Sequence, residues 1–185
     1  MHRQIRRLGL SGGMVLAMAG SVGAQVIPMT FDDIVTAADT IVVAEAIDSR
    51  AQWVTTGASR AIITRVTFRV TDTLKGLDRI LLPLEFRGGT IGDVSYEVSG
   101  VPTFELGDRA VLFVLAARAV SPIVGHMQGR FPINTAPDGI DYVTLPDRRA
   151  FSSVGQIGSP VLVSPTAIPT MTLTAFRDTI DRMVQ

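Results

Sequence analysis

Apolar and polar side chains alternate along residues 65–71, and this alternation constrains the fold more than any other feature of the chain. Val66, Phe68 and Val70 stand between arginines and threonines. A period of two residues is typical of a strand with one buried face, and Gly76 can adopt the left-handed backbone that ends such a strand. Short runs of this kind recur between glycine- and proline-containing turns, so the sequence predicts a mainly β protein.

Other segments have similar strand character, and they are residues 41–47, 80–86, 93–99, 110–116, 123–127, 130–133 and 140–145. Pro83 cannot donate a backbone hydrogen bond, which favours a sheet edge for its strand. The run 110–116 is continuously apolar, as in a central strand covered on both faces. Tight turns are predicted at Gly57 and at Pro137-Asp138-Gly139. Inward-facing side chains are expected in two of the other strands: Ile80, Leu82, Leu84 and Phe86, and then Val94, Tyr96 and Val98.

A helix is expected at each end of this strand region. Thr30 can cap the first helix, and Asp32 and Asp33 suit its positive first turn. The second helix begins after Thr172 and carries apolar residues at helical spacing, namely Leu173, Phe176, Ile180 and Met183. We expect this helix to close one end of a β-barrel, after a surface tail rich in serine, glycine and proline at residues 151–169.

The first 24 residues predict an export signal. They combine a basic head, a short apolar run over residues 8–19 and the small-x-small sequence Val22-Gly23-Ala24, so cleavage is expected before Gln25. The apolar run is short and glycine-rich for a membrane span, and no stable membrane insertion is expected after cleavage. Arg6-Arg7 is compatible with a twin-arginine signal, although a plain basic head accounts for it. The sequence therefore predicts a secreted or periplasmic protein.

Residues 25–185 have the length of one ordinary domain and are predicted to form a single β-rich barrel domain. The whole chain has 17 basic and 17 acidic residues, and residues 1–24 hold three arginines and no acid, which leaves the exported part near −3. That charge argues against general binding to nucleic acid or anionic membranes. The chain has no cysteine, which excludes disulfides, a catalytic thiol and thiolate metal sites.

An ordered series of short segments resembles a known family. The segments are residues 39–46, Thr73-Leu74-Lys75-Gly76, and Phe104-Glu105-Leu106-Gly107-Asp108-Arg109 leading into Val111-Leu112-Phe113-Val114. The series resembles exported bacterial proteins related to netrin-like modules, whose members include the tissue inhibitors of metalloproteinases. Residues 124–131 are also similar to a segment of other secreted proteins. The resemblance implies an OB-like β-barrel with flanking helices, but the inhibitors' zinc-binding N-terminal cysteine has no counterpart here.

A hydrolase is the alternative to a binding protein. His126 is the only histidine beyond residue 24. It could act as a general base for Ser121, with Asp93 or Asp141 orienting the imidazole. No Gly-x-Ser-x-Gly motif supports a nucleophile, and a lone histidine in this setting is more typical of a hydrogen-bonded strand residue.

Metal and cofactor sites are not expected from the sequence. One histidine without cysteine is a poor zinc set, and Asp138 and Asp141 lack the ligand spacing of a calcium loop. The glycine-rich segment 88–92 lacks the Lys-Ser/Thr of a phosphate-binding loop. A basic stripe on two adjacent strands is interpreted as a solvated face rather than a single-stranded nucleic-acid site, and it consists of Arg60, Arg65, Arg69, Lys75, Arg79 and Arg87.

The sequence therefore favours a secreted, non-catalytic binding or interaction module, with no nucleic acid as partner. Its resemblance implies an exported protease as partner, which the protein would assist or inhibit. Contacts are expected on loops that a rigid sheet holds in place. The candidate contact residues lie in two glycine-containing segments: Gly88, Gly89, Thr90, Gly92, Gly100, Pro102 and Phe104.

Overall fold

The computed structural model describes residues 27–117, 120–159 and 170–185. Its elements are α1 (Phe31–Ala37), β1 (Thr40–Thr56), β2 (Ser59–Lys75), β3 (Leu81–Arg87), β4 (Gly89–Ile91), β5 (Val94–Tyr96), β6 (Arg109–Val114), β7 (Arg130–Thr135), β8 (Asp141–Val143), a 3₁₀ turn (Val154–Gln156) and α2 (Leu173–Val184). The predicted signal at residues 1–24 and much of the predicted surface tail lie outside the described residues.

Six of the strands form one antiparallel sheet in the order β3-β2-β1-β6-β7-β8, and β4 and β5 form a separate hairpin. The prediction of a mainly β protein with a helix at each end is confirmed. Over the described ranges, no pairing joins β3 to β8, so this sheet has two edges. In the same ranges no helix has the length and apolar character needed to cross a bilayer.

The helix caps follow the sequence signals. The Thr30 hydroxyl accepts a hydrogen bond from the Asp33 amide at 3.2 Å, and the Asp33 carboxylate accepts one in return from the Thr30 amide. This reciprocal arrangement satisfies two amide donors at the start of α1. Thr172 caps α2 by accepting from the Ala175 amide, without a reciprocal bond because alanine has no side-chain acceptor.

β1 and β2 form a hairpin of 17 residues on each side. Gly57 starts its two-residue turn with φ +60°, a conformation that glycine adopts without strain and that suits the twist of the flanking strands. Near its base the hairpin is part of the wider sheet, because β6 pairs with residues 40–45 and β3 with residues 63–69. The part beyond the β6 contacts, residues 46–66, is called the arm, and within it residues 63–66 also pair with β3.

The edge position predicted from Pro83 is confirmed. The Arg87 amide points away from β2 and donates to the Val120 carbonyl, whereas the Gly88 amide donates back to Ile62 on β2. Pro83 lies four residues before Arg87, so an amide at position 83 would also point away from β2. The missing N–H of Pro83 therefore removes no hydrogen bond between β2 and β3.

The sheet separates two apolar cores, as the continuous apolar run in β6 predicts. Val111 and Phe113 pack under the helices, where Phe31 and Phe176 lie, whereas Leu112 faces the core on the other side. The predicted alternation in β2 is confirmed, because Val66 and Phe68 are buried and their neighbours are exposed or half-buried. α2 lies over the first core and is joined to β2 by the ion pair of Arg177 with Asp72.

Three local predictions are wrong. Ile80 precedes β3 and is 81% exposed, although Leu82, Leu84 and Phe86 are buried as expected. Val94 and Tyr96 are exposed, because β5 pairs only with β4 and does not enter the six-stranded sheet. Residues 124–129 form turns after an isolated bridge at Ile123, since the backbone there takes positive φ at successive residues.

Candidate functional site

A cleft of about 540 Å³ lies between the β1–β2 arm, the β4–β5 hairpin and the loop that leads to β6. Ala51, Thr64 and Val66 contribute from the arm, and the hairpin and the loop form the walls. Five of the candidate contact residues line this cleft, namely Gly88, Gly89, Thr90, Pro102 and Phe104. These two segments are separated in sequence, and the fold brings them to the same cavity.

The other two candidate contact residues lie elsewhere. Gly92 is in the turn at the tip of the β4–β5 hairpin, with φ +58°. Gly100 lines a second cavity of about 360 Å³ beside His126. Gly92 and Gly100 are therefore not part of the cleft lining, although the sequence analysis grouped them with the residues that are.

Two glycines allow the β4–β5 hairpin to lie directly against the arm. A Cβ atom on Gly88 would be 2.7 Å from the Tyr96 carbonyl oxygen, and one on Gly89 would overlap the Thr64 hydroxyl. Both residues also have positive φ, +102° and +134°. The Thr64 hydroxyl donates to the Gly88 carbonyl at 2.7 Å. The glycines therefore set the shape of the cleft through close backbone packing.

The opposite wall is held by an aromatic cluster and one arginine. Phe104 is 9% exposed and packs edge-to-face on Phe68, with ring centroids 4.9 Å apart. The Arg130 guanidinium lies 4.4 Å from the Phe104 ring and donates to the Thr103 carbonyl and the Asp108 carboxylate, each at 2.9 Å. Burial lowers the pKa of Arg130, with the Asp108 charge acting against this effect. Arg130 thereby fixes the loop against β7.

Two charged residues, Arg87 and Glu97, are among those that line the cleft, and both are exposed. Neither forms an ion pair within the described ranges. Other charges on the sheet are neutralised: Arg65 pairs with Glu85 at 2.6 Å, and Arg69 lies 3.7 Å from Glu45. Arg60 stacks on the Trp53 ring at 4.1 Å. The basic stripe predicted from sequence is therefore interrupted by acids and an aromatic ring.

Sequence reasoning did not place Arg87 and Glu97 in the lining of one cleft. It assigned Arg87 to a solvated face and gave Glu97 no role. It also expected Tyr96 to point inward, whereas Tyr96 is 47% exposed and lines the cleft. The one available signal was the two-residue turn at Gly92-Asp93, because a hairpin there folds residue 97 back towards residue 88.

In the described part of the chain, the Ser121 hydroxyl is not hydrogen-bonded to the His126 imidazole. His126 is exposed in a turn with φ +67°, which corrects its expected strand position. Ser121 is buried, and its hydroxyl donates to the His126 carbonyl at 2.6 Å and accepts from the Ile123 amide at 3.2 Å. The Ser121 hydroxyl thus donates its proton to a backbone carbonyl oxygen and not to the imidazole. A nucleophile requires the hydroxyl–base bond.

Asp141 is also engaged elsewhere. Its carboxylate accepts two hydrogen bonds from the Arg109 guanidinium, at 2.9 and 2.6 Å, and one from the Thr135 hydroxyl at 2.7 Å. The hydrogen bond from Arg109 is the main cause that lowers the pKa of Asp141, and the hydrogen bond from Thr135 lowers it further. The same bond raises the pKa of Arg109.

The turn interpretation of Asp138 agrees with its geometry, because its carboxylate accepts from the Ile140 amide at 2.9 Å. Among the residues that the structure describes, no group of three or more histidine, cysteine, aspartate or glutamate side chains could hold a metal ion.

Comparison with known proteins gives no relative: no family model matches the chain, and no curated protein or solved structure shows significant similarity to it.

Proposed function

We propose that this chain is a secreted or periplasmic, non-catalytic binding module that takes its ligand in the cleft between the arm and the β4–β5 hairpin. One observation carries the proposal: five predicted contact residues from two separate segments line the same cavity. A concave site with apolar surface and a few polar groups is the usual form of a ligand site. The aromatic packing under Phe104 gives that site a rigid support.

The resemblance to netrin-like modules makes an exported protease the first partner to test, with this chain as its accessory protein or inhibitor. The same resemblance implies an OB-like barrel, which would require strand pairing beyond that of the six-stranded sheet in the described residues. Because the chain has no cysteine, any inhibition would use a surface other than the zinc-binding terminus of the tissue inhibitors.

The hydrolase alternative is less well supported because Ser121 is buried and bonded to the backbone of His126. It has a direct test. The purified protein should hydrolyse no peptide, ester or glycoside substrate. A turnover that His126→Ala abolishes would favour the hydrolase instead.

A photo-crosslinking amino acid at Thr90 tests the binding proposal in the host that produces the protein. Thr90 is exposed at the cleft, and Asp178 on α2 is an exposed control position away from it. We expect a discrete adduct from Thr90 and none from Asp178. The crosslinked partner, once purified, should bind the unmodified chain, and a protease partner should change its activity on binding. Equal adducts from both positions, or none from Thr90, would contradict the proposal.

A further inference from the structure

The arm has an open sheet edge along residues 48–55 of β1. On that side of β1, β6 pairs with residues 40–45, and the Gly107 and Asp108 backbones bond that of Ala46 at 2.8 and 2.9 Å. Beyond Ala46, β1 pairs with β2 alone among the described residues. Residues 48–55 are exposed or half-buried and contain no proline, glycine or lysine. A long edge without these residues is a template for another strand.

The hydrogen-bond ladder shows which backbone groups of this edge are free. The Ile62 carbonyl accepts from the Gly88 amide, so Ile62 faces β3 and its β1 partner Trp53 faces away from β2. Because backbone direction alternates along a strand, every second residue of the edge also faces outward. These outward residues are Ser49, Ala51, Trp53 and Thr55. In the part of the chain that the structure describes, their backbone N–H and C=O groups make no hydrogen bond.

The edge is complementary to itself in one antiparallel register. When Gln52 lies opposite Gln52 of a second copy, Ala51 lies opposite Trp53 and Ser49 opposite Thr55, and each of these pairs occurs twice. All four outward residues are then paired, and each pair exchanges two backbone hydrogen bonds.

The length of the edge selects this register. A shift of two residues towards the sheet would bring Thr56 of the second copy against Ala46, whose backbone is already bonded to residues 107–108. A shift of two residues the other way would leave Ser49 without a strand partner.

The charges and side-chain sizes of the edge also suit a second copy. Arg50 is the one charged residue at positions 49–55, and its guanidinium pairs with Asp48 at 3.0 Å. In this register Arg50 lies opposite Val54, so no like charges face each other. On the other face, the large Trp53 side chain lies opposite the small one of Ala51, which lines the cleft.

We propose that this chain forms a two-fold dimer in which residues 49–55 of two copies pair as antiparallel strands. The two arms then form one four-stranded sheet, with the remainder of each copy at opposite ends. Each copy places its Trp53 beside the cleft of the other, next to Ala51. A second copy fits this edge because one register satisfies every outward residue on both sides of the axis. The inference goes beyond the proposed function and does not depend on it.

Cysteine crosslinking tests the register, because the chain contains no cysteine of its own. Gln52→Cys places two thiols at directly opposite, non-hydrogen-bonded positions, where Cα atoms about 4.5 Å apart are within disulfide range. Thr55→Cys is the matched control, since Thr55 is exposed on the same edge. Its two copies would be about 20 Å apart, because each lies opposite Ser49.

We expect mild oxidation of the purified protein, as its host produces it, to convert nearly all Gln52→Cys chains to a covalent dimer. Thr55→Cys should crosslink at least roughly tenfold more slowly, because thiols at that separation cannot form a disulfide. Random collisions would crosslink both variants equally, so the ratio of the two rates reports the register.

Sedimentation equilibrium measures the assembly without any crosslink. The unmodified protein should have the mass of a dimer and dissociate on dilution. Ala51→Pro removes an outward N–H and no hydrogen bond to β2, so it should give a monomer with an unchanged far-UV circular dichroism spectrum. If this variant does not fold, the two cysteine variants decide the question alone.

Three outcomes contradict the inference. An unmodified protein that is monomeric at every concentration would exclude a second copy, including the case in which a strand of another protein binds this edge. Equal crosslinking rates for Gln52→Cys and Thr55→Cys would show that the register is wrong. A dimer that persists in folded Ala51→Pro would place the interface elsewhere. None of these outcomes affects the adduct expected from Thr90, so the two proposals fail separately.

Discussion

At the scale of single residues, Gly88 and Gly89 explain why the cleft exists. In sequence they resemble part of a flexible or phosphate-binding loop. In the structure their missing side chains allow the β4–β5 hairpin to contact the arm at Thr64 and Ala51. Gly92 differs, because its φ of +58° serves the turn and a Cβ atom added there would have no other atom within 4 Å. The two kinds of glycine can be separated by substitution.

We expect Gly89→Ala to reduce the free energy of unfolding by about 1–3 kcal/mol more than Gly92→Ala, because overpacking adds to backbone strain. Urea denaturation of both variants measures the difference. Thr64→Ala removes the hydroxyl that the new Cβ would overlap, so the added cost of Gly89→Ala should fall in that background. Equal costs for the two glycine variants would contradict the packing role.

At the scale of elements, a row of charged side chains crosses three adjacent strands of the sheet. Arg69 on β2, Glu45 on β1 and Arg109 on β6 occupy paired positions in adjacent strands. Arg109 then reaches Asp141 on β8 through two hydrogen bonds. β8 has only three residues, and this ion pair and the bond to Thr135 add side-chain contacts to its backbone pairing with β7.

We expect Asp141→Asn to destabilise the protein by on the order of 1 kcal/mol at pH 7, since the pair is partly exposed. The folded-state pKa of Asp141 is lowered by Arg109, so the stabilisation is complete above the unfolded value of about 3.9 and is lost as pH falls through the folded value. Urea unfolding from pH 7 to pH 2.5 measures this effect. The difference in free energy of unfolding between the unmodified protein and Asp141→Asn should become smaller as the pH falls.

Asp178→Asn is the matched control, because its carboxylate is exposed and has no ion-pair partner in the described ranges. It should show no comparable gap at pH 7. A gap for Asp141→Asn that stays constant down to pH 2.5 would show that the charge of Asp141 does not cause the stabilisation.

At the scale of the whole molecule, the sheet has an apolar core on each face, and the cleft lies next to the second core. The helices cover the first core, and β3 with Phe104 and Ile123 completes the second. The cleft begins where this second core ends, at Val66 and Phe86. A rigid core next to an open cavity is the arrangement in which loops can hold a ligand without reorganising.

Export remains a prediction about the whole chain, and it decides where the cleft can meet a partner. We expect the protein isolated from its host to begin at Gln25, because residues 1–24 have the charge and apolar pattern of a signal peptide. Intact mass and N-terminal sequencing measure this directly. A cytoplasmic chain that retains residues 1–24 would contradict the predicted compartment.

Features that depend on neighbouring residues could be predicted from the sequence alone. The alternation around Phe68 predicted a half-buried strand, Pro83 predicted an edge, and Thr30 and Thr172 predicted helix starts, because periodicity, a missing N–H and a cap are local properties. The same reasoning failed at Tyr96, whose pattern has the correct period but whose strand pairs outside the main sheet.

The candidate site, in contrast, depends on the tertiary structure. The sequence selected Gly88, Gly89 and Thr90 as contact residues, but their place beside Phe104 depends on the order of strands between them. The position of Arg87 and Glu97 in one lining likewise depends on a hairpin turning back over the arm. Contacts of this kind join residues that are distant along the chain, and no local pattern contains them.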